Sequence, residues 1–386
     1  MDRLIKRFSS VLDGDLRICE SRGIAFQADM KQGLVNYDRA YFDCYVDLVG
    51  TAIAKSLNDG RREMVERYWN GPVLDVGIGS GEFLDRCPEG SCGLDVNPHA
   101  IEMLKATGRW AEDIGSFGAV TFWDALEHIE APEIYLKRIA RGAFVFVAIP
   151  IMPSLSAVRE SKHYKPGEHL YYFTEEGFVA WMALYGYRLL EVSTHEMDAG
   201  RESIGAFAFC KDLPAYDEHI EAYRQMHAAR HYGSSATELH LEVAAKVVRA
   251  KHPKSILDYG CGRSDLVAHF WRDGERRIAR YDPAIPAHRH MPEDRFDLVL
   301  CCDVMEHIPM ACVDHVLKEI KSKATQVFFT ISTKLAKAKL PDGRNAHVTL
   351  LSNQEWARWL GAYFGHMTQL PSRWEHDLIL VTGVVR

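Results

Sequence analysis

Two short runs of this sequence carry residue types that could do chemistry. The first, VLDVGIGSGEFLD at 73–85, sets Gly77, Gly79 and Gly81 directly after a strand-like run. Glycines in such a turn let a bound molecule approach the backbone where any side chain would collide. Asp75 stands two places before the first glycine, and Asp95 follows at the end of the next strand-like run, where a carboxylate can accept both hydroxyls of a ribose. A nicotinamide-type fingerprint would space its glycines G-x-G-x-x-G; here a single serine separates the second and third glycines and position 82 is Glu. The second run, AVTFWDALEHI at 119–129, ends a β-branched and aromatic stretch on Asp124, Glu127 and His128. Glu127, His128 and the later His169 are candidate proton acceptors, because ligands of open α/β sheets bind at the C-terminal ends of the strands.

Both runs recur. ILDYGCGRSDLVA at 256–268 aligns Asp258, Gly260 and Gly262 with Asp75, Gly77 and Gly79, and FDLVLCCDVMEHI at 296–308 aligns Asp303, Glu306 and His307 with Asp124, Glu127 and His128. The two alignments are displaced along the chain by nearly the same amount and fall in the same order, so the chain reads as two copies of one fold. In the second copy Ser264 replaces the third glycine and Asp282, in YDP at the end of the next strand-like run, takes the ribose position. Asp303, His307 and His347 are its candidate bases.

The elements that must position these residues alternate between short strands and helical patterns, as in a parallel α/β sheet. Strands are expected at 73–77, 92–96, 119–123, 143–150, 187–192 and 205–210, and again at 255–260, 276–282, 297–302, 326–332 and 378–385. Helical spacing at 37–69 and 214–250 precedes each first strand. The expected domains are therefore 1–211, with 1–70 a leading helical segment, and 212–386, meeting near Lys211–Pro214.

The acid-x-G-x-G-x-G pattern resembles the first motif of class I S-adenosylmethionine-dependent methyltransferases. That resemblance implies a fold of two tandem Rossmann-like α/β domains, each a mostly parallel sheet flanked by helices, with S-adenosyl-L-methionine as cofactor. It implies that Asp75 and the glycines hold the methionine end of the cofactor, Asp95 the ribose, and Asp113, in AEDI, the adenine amino group. It also places Asp124, and in the second copy Asp258, Gly260, Gly262, Asp282 and Asp303, against the cofactor. WDALEHI and EHLYYFTEEGF (168–178) resemble small-molecule methyltransferases of the ubiquinone-biosynthesis and sugar types over roughly 35–210, including YDRAYFDCY at 37–45. FDLVLCCDVMEHI with LPDGRNAHV (340–348) resembles methyltransferase-like proteins encoded by bacteriophages.

Composition narrows the classes. The chain has 386 residues, 47% hydrophobic and 26% charged, which suits a globular protein of two domains. Its net charge of −7 gives no general attraction to nucleic acid or anionic membranes. Residues 1–211 hold 23 basic and 31 acidic side chains and residues 212–386 hold 23 and 22, so only the second half, with Lys334, Lys337, Lys339 and Arg344 after a strand, suits an anionic partner. Nine scattered cysteines and an N-terminus without an apolar leader core read as a cytoplasmic protein with reduced thiols. No apolar run is long enough to span a membrane, and the HRH at 288–290 lacks a partner at ligand spacing, so no metal is expected. Neither WDAL nor CCDV supplies the Asn/Asp-Pro-Pro-aromatic loop of amino-methylating DNA enzymes, and Cys301 and Cys302 lack the proline of a cytosine C5-methylating loop.

Three functions fit. The leading one is methyl transfer to a small-molecule, sugar or nucleotide-like acceptor, with the first domain catalytic. The others are a nucleic-acid-modifying methyltransferase that docks through the second half, and a structural, virion or regulatory protein that retains the folds without turnover. The oligomeric state is not legible.

Overall fold

The computed structural model describes residues 10–29, 38–213, 215–229, 233–271 and 276–383. Tyr37 of the lead-in, Pro214 at the expected boundary and the last residues of the final expected strand lie outside that range. The chain divides into two compact units, Met1–Ala215 and Tyr216–Arg386.

The first unit opens differently from the helical segment expected over 1–70. Strands β1 (Val11–Asp13), β2 (Leu16–Cys19) and β3 (Ile24–Gln27) form an antiparallel meander whose last strand pairs with β8 (Tyr171–Phe173). The cause is local: Asp13 pairs with Leu16 across the turn Gly14–Asp15, and Gly14 adopts φ 56°, which glycine takes without strain. One face of this small sheet buries Leu16, Ala25 and Tyr172 against Met152, Leu155 and Val158.

The main sheet of the first unit contains β4 (Leu74–Val76), β5 (Cys92–Leu94), β6 (Ala119–Trp123), β7 (Phe144–Pro150), β9 (Arg188–Ser193) and β10 (Ile204–Cys210), in the order β5-β4-β6-β7-β10-β9. The first four are parallel and β10 is antiparallel to both neighbours. Helices α1 (Arg39–Val46), α2 (Ala52–Glu66), α3 (Pro98–Ala106), α4 (Pro132–Arg138), α5 (Glu175–Ala183) and α6 (His195–Asp198) accompany it. Thr51 starts α2 by accepting a hydrogen bond from Ala54 N, and the helix buries Met64 and Val65 against Trp123, Phe146 and Ala206 of the sheet. Full burial of an aromatic such as Phe146 is worth roughly 1.5–3 kcal/mol of transfer free energy, so this contact anchors the helix that overhangs the strand ends.

The second unit repeats the plan. Its strands β11 (Ser255–Tyr259), β12 (Arg277–Tyr281), β13 (Phe296–Cys302), β14 (Ala324–Ser332), β15 (Met367–Gln369) and β16 (Asp377–Thr382) lie in the order β12-β11-β13-β14-β16-β15, with β16 antiparallel. Helices α7 (Tyr216–Ala228) and α8 (Ala236–Lys251) precede β11, and α9 (Met310–Lys323) and α10 (Asn353–Phe364) follow later. Each run read as a strand forms one. The addition is β15, too short to show an alternation. The architecture is thus two tandem Rossmann-like units, each a mostly parallel sheet flanked by helices. Among the described residues, no helix is long and apolar enough to cross a membrane.

Candidate active site

After β4 the chain turns through Gly77, Gly79 and Gly81 at φ values of 77°, 53° and 81°, all left-handed. A Cβ on Gly77 would also stand 2.8 Å from Ala125 Cβ, so the turn admits no side chain there. Asp95, just past β5, braces this turn. One carboxylate oxygen accepts from Ile78 N and the other from Asn97 N, both at 2.8 Å, while burial pushes the group's pKa up. A cavity of about 320 Å³ opens beside the turn, with Gly77, Gly79, Asp95, Asp124 and His128 on its wall. Gly81 shapes the turn without lining the cavity.

Asp75 also borders the cavity, 1% exposed, and accepts a 2.6 Å hydrogen bond from Thr121 Oγ1. Burial pushes its carboxyl up to about 7. Asp124 follows β6 at φ 55° and meets two guanidinium groups. Arg201 donates to its two oxygens at 2.7 Å each and Arg61 at 3.2 Å. Both arginines also donate to Glu196, at 2.6 Å, whose side chain is fully buried. Burial alone would raise Glu196, but the bonds from His195, Arg61 and Arg201 hold it well below the carboxylate range. Arg61, Glu196 and Arg201 escaped the sequence reading. They come from α2, α6 and the turn before β10, and nothing in their local sequence distinguishes them from solvated surface charges.

Of the three bases expected in the first unit, only His128 reaches the cavity. Burial lowers its pKa, so the imidazole is neutral at pH 7. Glu127 and His169 lie behind it. The His169 ring packs edge-on against His128 at 4.7 Å, and burial followed by the charge of His128 takes His169 down to about 3. Glu127 is 1% exposed and neither carboxylate oxygen has a hydrogen-bond partner among the described residues; burial, then Asp124, drives its pKa well up. Asp113 is not brought to the cavity. Its carboxylate caps a short 3-10 turn through Gly115 N at 3.2 Å and pairs with Arg138 at 3.0 Å on the surface, which removes it from the adenine position expected of it.

The second unit keeps the cradle and changes what surrounds it. Asp282 accepts from Gly262 N and Ala284 N, both at 2.8 Å, as Asp95 does at its own turn. Gly260 and Gly262 hold φ 71° and 51°. Asp258, unlike Asp75, does not reach its cavity. Leu300 occupies the place of Thr121 beside it, one of its oxygens lacks a hydrogen-bond partner among the described residues, and burial pushes it up to about 7. Asp303 repeats the left-handed φ, at 54°, but is met by His240 at 2.8 Å and Thr330 at 2.9 Å. His240 stands where α2 carries Arg61, displaced along the chain by the same amount as Asp303 from Asp124. The cavity here is about 770 Å³, and Asp282, Asp303, Glu306, His307 and His347 all line it.

A family model described as a methyltransferase domain matches the chain twice, over residues 51–192 and 227–368. No curated protein matches it. Among solved structures, the chain is similar to a SAM-dependent methyltransferase of Thermotoga maritima described as a possible histamine N-methyltransferase, at 15% identity over 45% of this chain and 97% of that one, with a TM-score of 0.34. It is also similar to a SAM-dependent methyltransferase of Methanosarcina mazei, at 17% identity, covering 39% of this chain and 98% of that one with a TM-score of 0.30. A third is a Burkholderia thailandensis 1,6-didemethyltoxoflavin-N1-methyltransferase, solved with bound 1,6-didemethyltoxoflavin and S-adenosylhomocysteine, at 19% identity over 44% of this chain and 89% of that one, TM-score 0.32.

Proposed function

We propose, from the premise that this chain belongs to the methyltransferase-domain family and uses S-adenosylmethionine, that methyl transfer takes place in its first unit and that the acceptor is a small molecule of sugar or nucleotide size. One observation carries the reading: a single cavity collects Asp95, the glycine turn, Asp75 and Arg61. These are the groups that a zwitterionic nucleoside needs. Asp95 faces the ribose, Arg61 offers the methionine carboxylate a cation, and Asp75 ionises at little cost when an ammonium arrives, because its carboxyl already titrates at about 7. When bound, the cofactor supplies an electrophilic methyl group on a sulfonium. The chain's own contribution is to hold the acceptor over the strand ends, to exclude water with Tyr41, Tyr45 and Trp123, and to take the acceptor's released proton on the neutral imidazole of His128.

The likeness of WDALEHI and EHLYYFTEEGF to small-molecule methyltransferases supports this acceptor class, and the nine free thiols support a reducing, cytoplasmic location. A second reading, an anionic nucleotide or nucleic-acid acceptor docked by the second unit, is favoured by Lys334 and Lys337 on the wall of the larger cavity. Incubation of the purified chain with methyl-labelled S-adenosylmethionine and separate panels of small hydroxyl or amine compounds and of oligonucleotides decides between them. Label in a small product supports the first-unit reading. Label only in oligonucleotides, weakening steeply with salt, contradicts it.

A further inference from the structure

The larger cavity holds a feature that methyl transfer in the first unit does not use. On its wall Glu306, His307 and His347 each present one ligand atom, and these atoms lie within 4.8 Å of one another. We propose that this trio binds one divalent transition-metal ion in the second unit. Glu306 is fully buried; one oxygen accepts from Ser332 N at 2.8 Å and the other has no hydrogen-bond partner among the described residues. A buried carboxylate oxygen without a donor is costly unless a cation or a proton compensates it.

The two imidazoles are oriented from behind. His307 Nδ1 lies 2.9 Å from the Ala346 carbonyl oxygen, and His347 Nδ1 bonds the Lys334 carbonyl oxygen. The Lys334 carbonyl only accepts, so His347 Nδ1 carries the proton and its Nε2 keeps its lone pair, the arrangement by which backbone carbonyls set metal-binding histidines, while His307 Nδ1 meets both the Ala346 carbonyl and, at 3.0 Å, the Tyr223 hydroxyl. The rings stand 4.8 Å apart at 75°. Metal–ligand bonds of about 2.0–2.2 Å need the three atoms to close by small side-chain rotations. Two imidazoles with one carboxylate suit zinc, cobalt or manganese better than magnesium or calcium, and three protein ligands leave positions open toward the cavity for an oxygen of a bound molecule.

Glu127, His128 and His169 repeat the trio in the first unit within the same 4.8 Å limit, but Glu127 and His169 do not line that cavity and so offer an ion no open position on it. The proposal is independent of where methyl transfer takes place. Its test is titration of the chelator-treated full chain with Co²⁺, read by visible d–d absorption and by calorimetry. One tight site per chain is expected, weakened at least about tenfold in Glu306→Gln and in His347→Ala. Glu306→Gln preserves the hydrogen bond from Ser332, and His347 sits in a half-buried loop, so both variants keep a native circular-dichroism melt. Glu127→Gln leaves Co²⁺ binding unchanged. Absence of a stoichiometric site, binding that survives in the Glu306→Gln/His347→Ala double variant, or loss of binding in Glu127→Gln overturns the proposal.

Discussion

At the end of β6 the first unit sets Asp124 between two guanidinium groups, whereas at the end of β13 the second sets Asp303 against one imidazole and one hydroxyl. The backbone there is the same, with φ 55° in one and 54° in the other. Below it, Asp75 has Thr121 as a donor and faces its cavity, while Asp258 faces Leu300 and does not. The two units therefore share a glycine-turn scaffold and differ in the charged groups gathered at the strand end beside it. The first provides an arginine shared between Asp124 and Glu196, the second a histidine paired with Asp303. The two turns share their first two left-handed glycines, and the larger differences lie in the residues that reach the turn from distant elements.

That contrast can be broken most severely at the chemical step. His128→Ala should lower kcat by about 10²–10⁴, the usual contribution of a positioned acid or base, with little change in cofactor affinity. Because burial holds the His128 pKa below 6.5, the acid limb of kcat/KM should lie below that pH. An acid limb at or above 6.5 removes His128 from the role. A smaller effect tests the charge difference directly. Arg61→His gives the first unit the residue of the second, and S-adenosylhomocysteine affinity by calorimetry should fall about tenfold, the value of a modest charge-assisted contact. Unchanged affinity would locate the difference between the units elsewhere.

The smallest expected difference is in acid stability, which the units share. His169 in the first unit titrates at about 3, and His219 and His307 in the second at about 4. Burial disfavours their charged forms, so the unfolded chain takes up these protons at about 6.5 while the folded chain does not. The stability they contribute is complete above about pH 6.5 and is lost as pH falls toward 4 and 3. Thermal melts from neutral pH down to about pH 4 should show both units losing stability in this window. A melt independent of pH over that range contradicts the burial of these imidazoles.

The strands and both glycine turns were legible because their signals are local: β-branched runs, glycines at left-handed positions, and acids at fixed distances along one βαβ unit. Asp95 and Asp282 follow from spacing alone. Arg61, Glu196 and Arg201 do not, since the two arginines reach Asp124 from well before and well after it in the chain and look in sequence like surface charges. Asp113 shows the converse. Its motif position is right, but Arg138 lies close enough to claim its carboxylate. The opening meander turns at Gly14–Asp15, a glycine turn inside the segment expected to be helical. Its fourth strand, β8, comes from far along the chain, beyond most of the main sheet, where no local pattern connects them. Glu306 and His347 likewise meet only because the loop after β14 folds back over the end of β13.

Calorimetric titration of S-adenosylhomocysteine into the full chain and into Asp95→Ala and Asp282→Ala tests the central claim most directly. Asp95 holds the backbone amides of Ile78 and Asn97 and is the proposed ribose ligand, so its loss should weaken the tight site by about 100-fold. Asp282→Ala should leave that site intact. Tight binding that survives Asp95→Ala and disappears in Asp282→Ala would place the working cofactor site in the second unit and contradict the account.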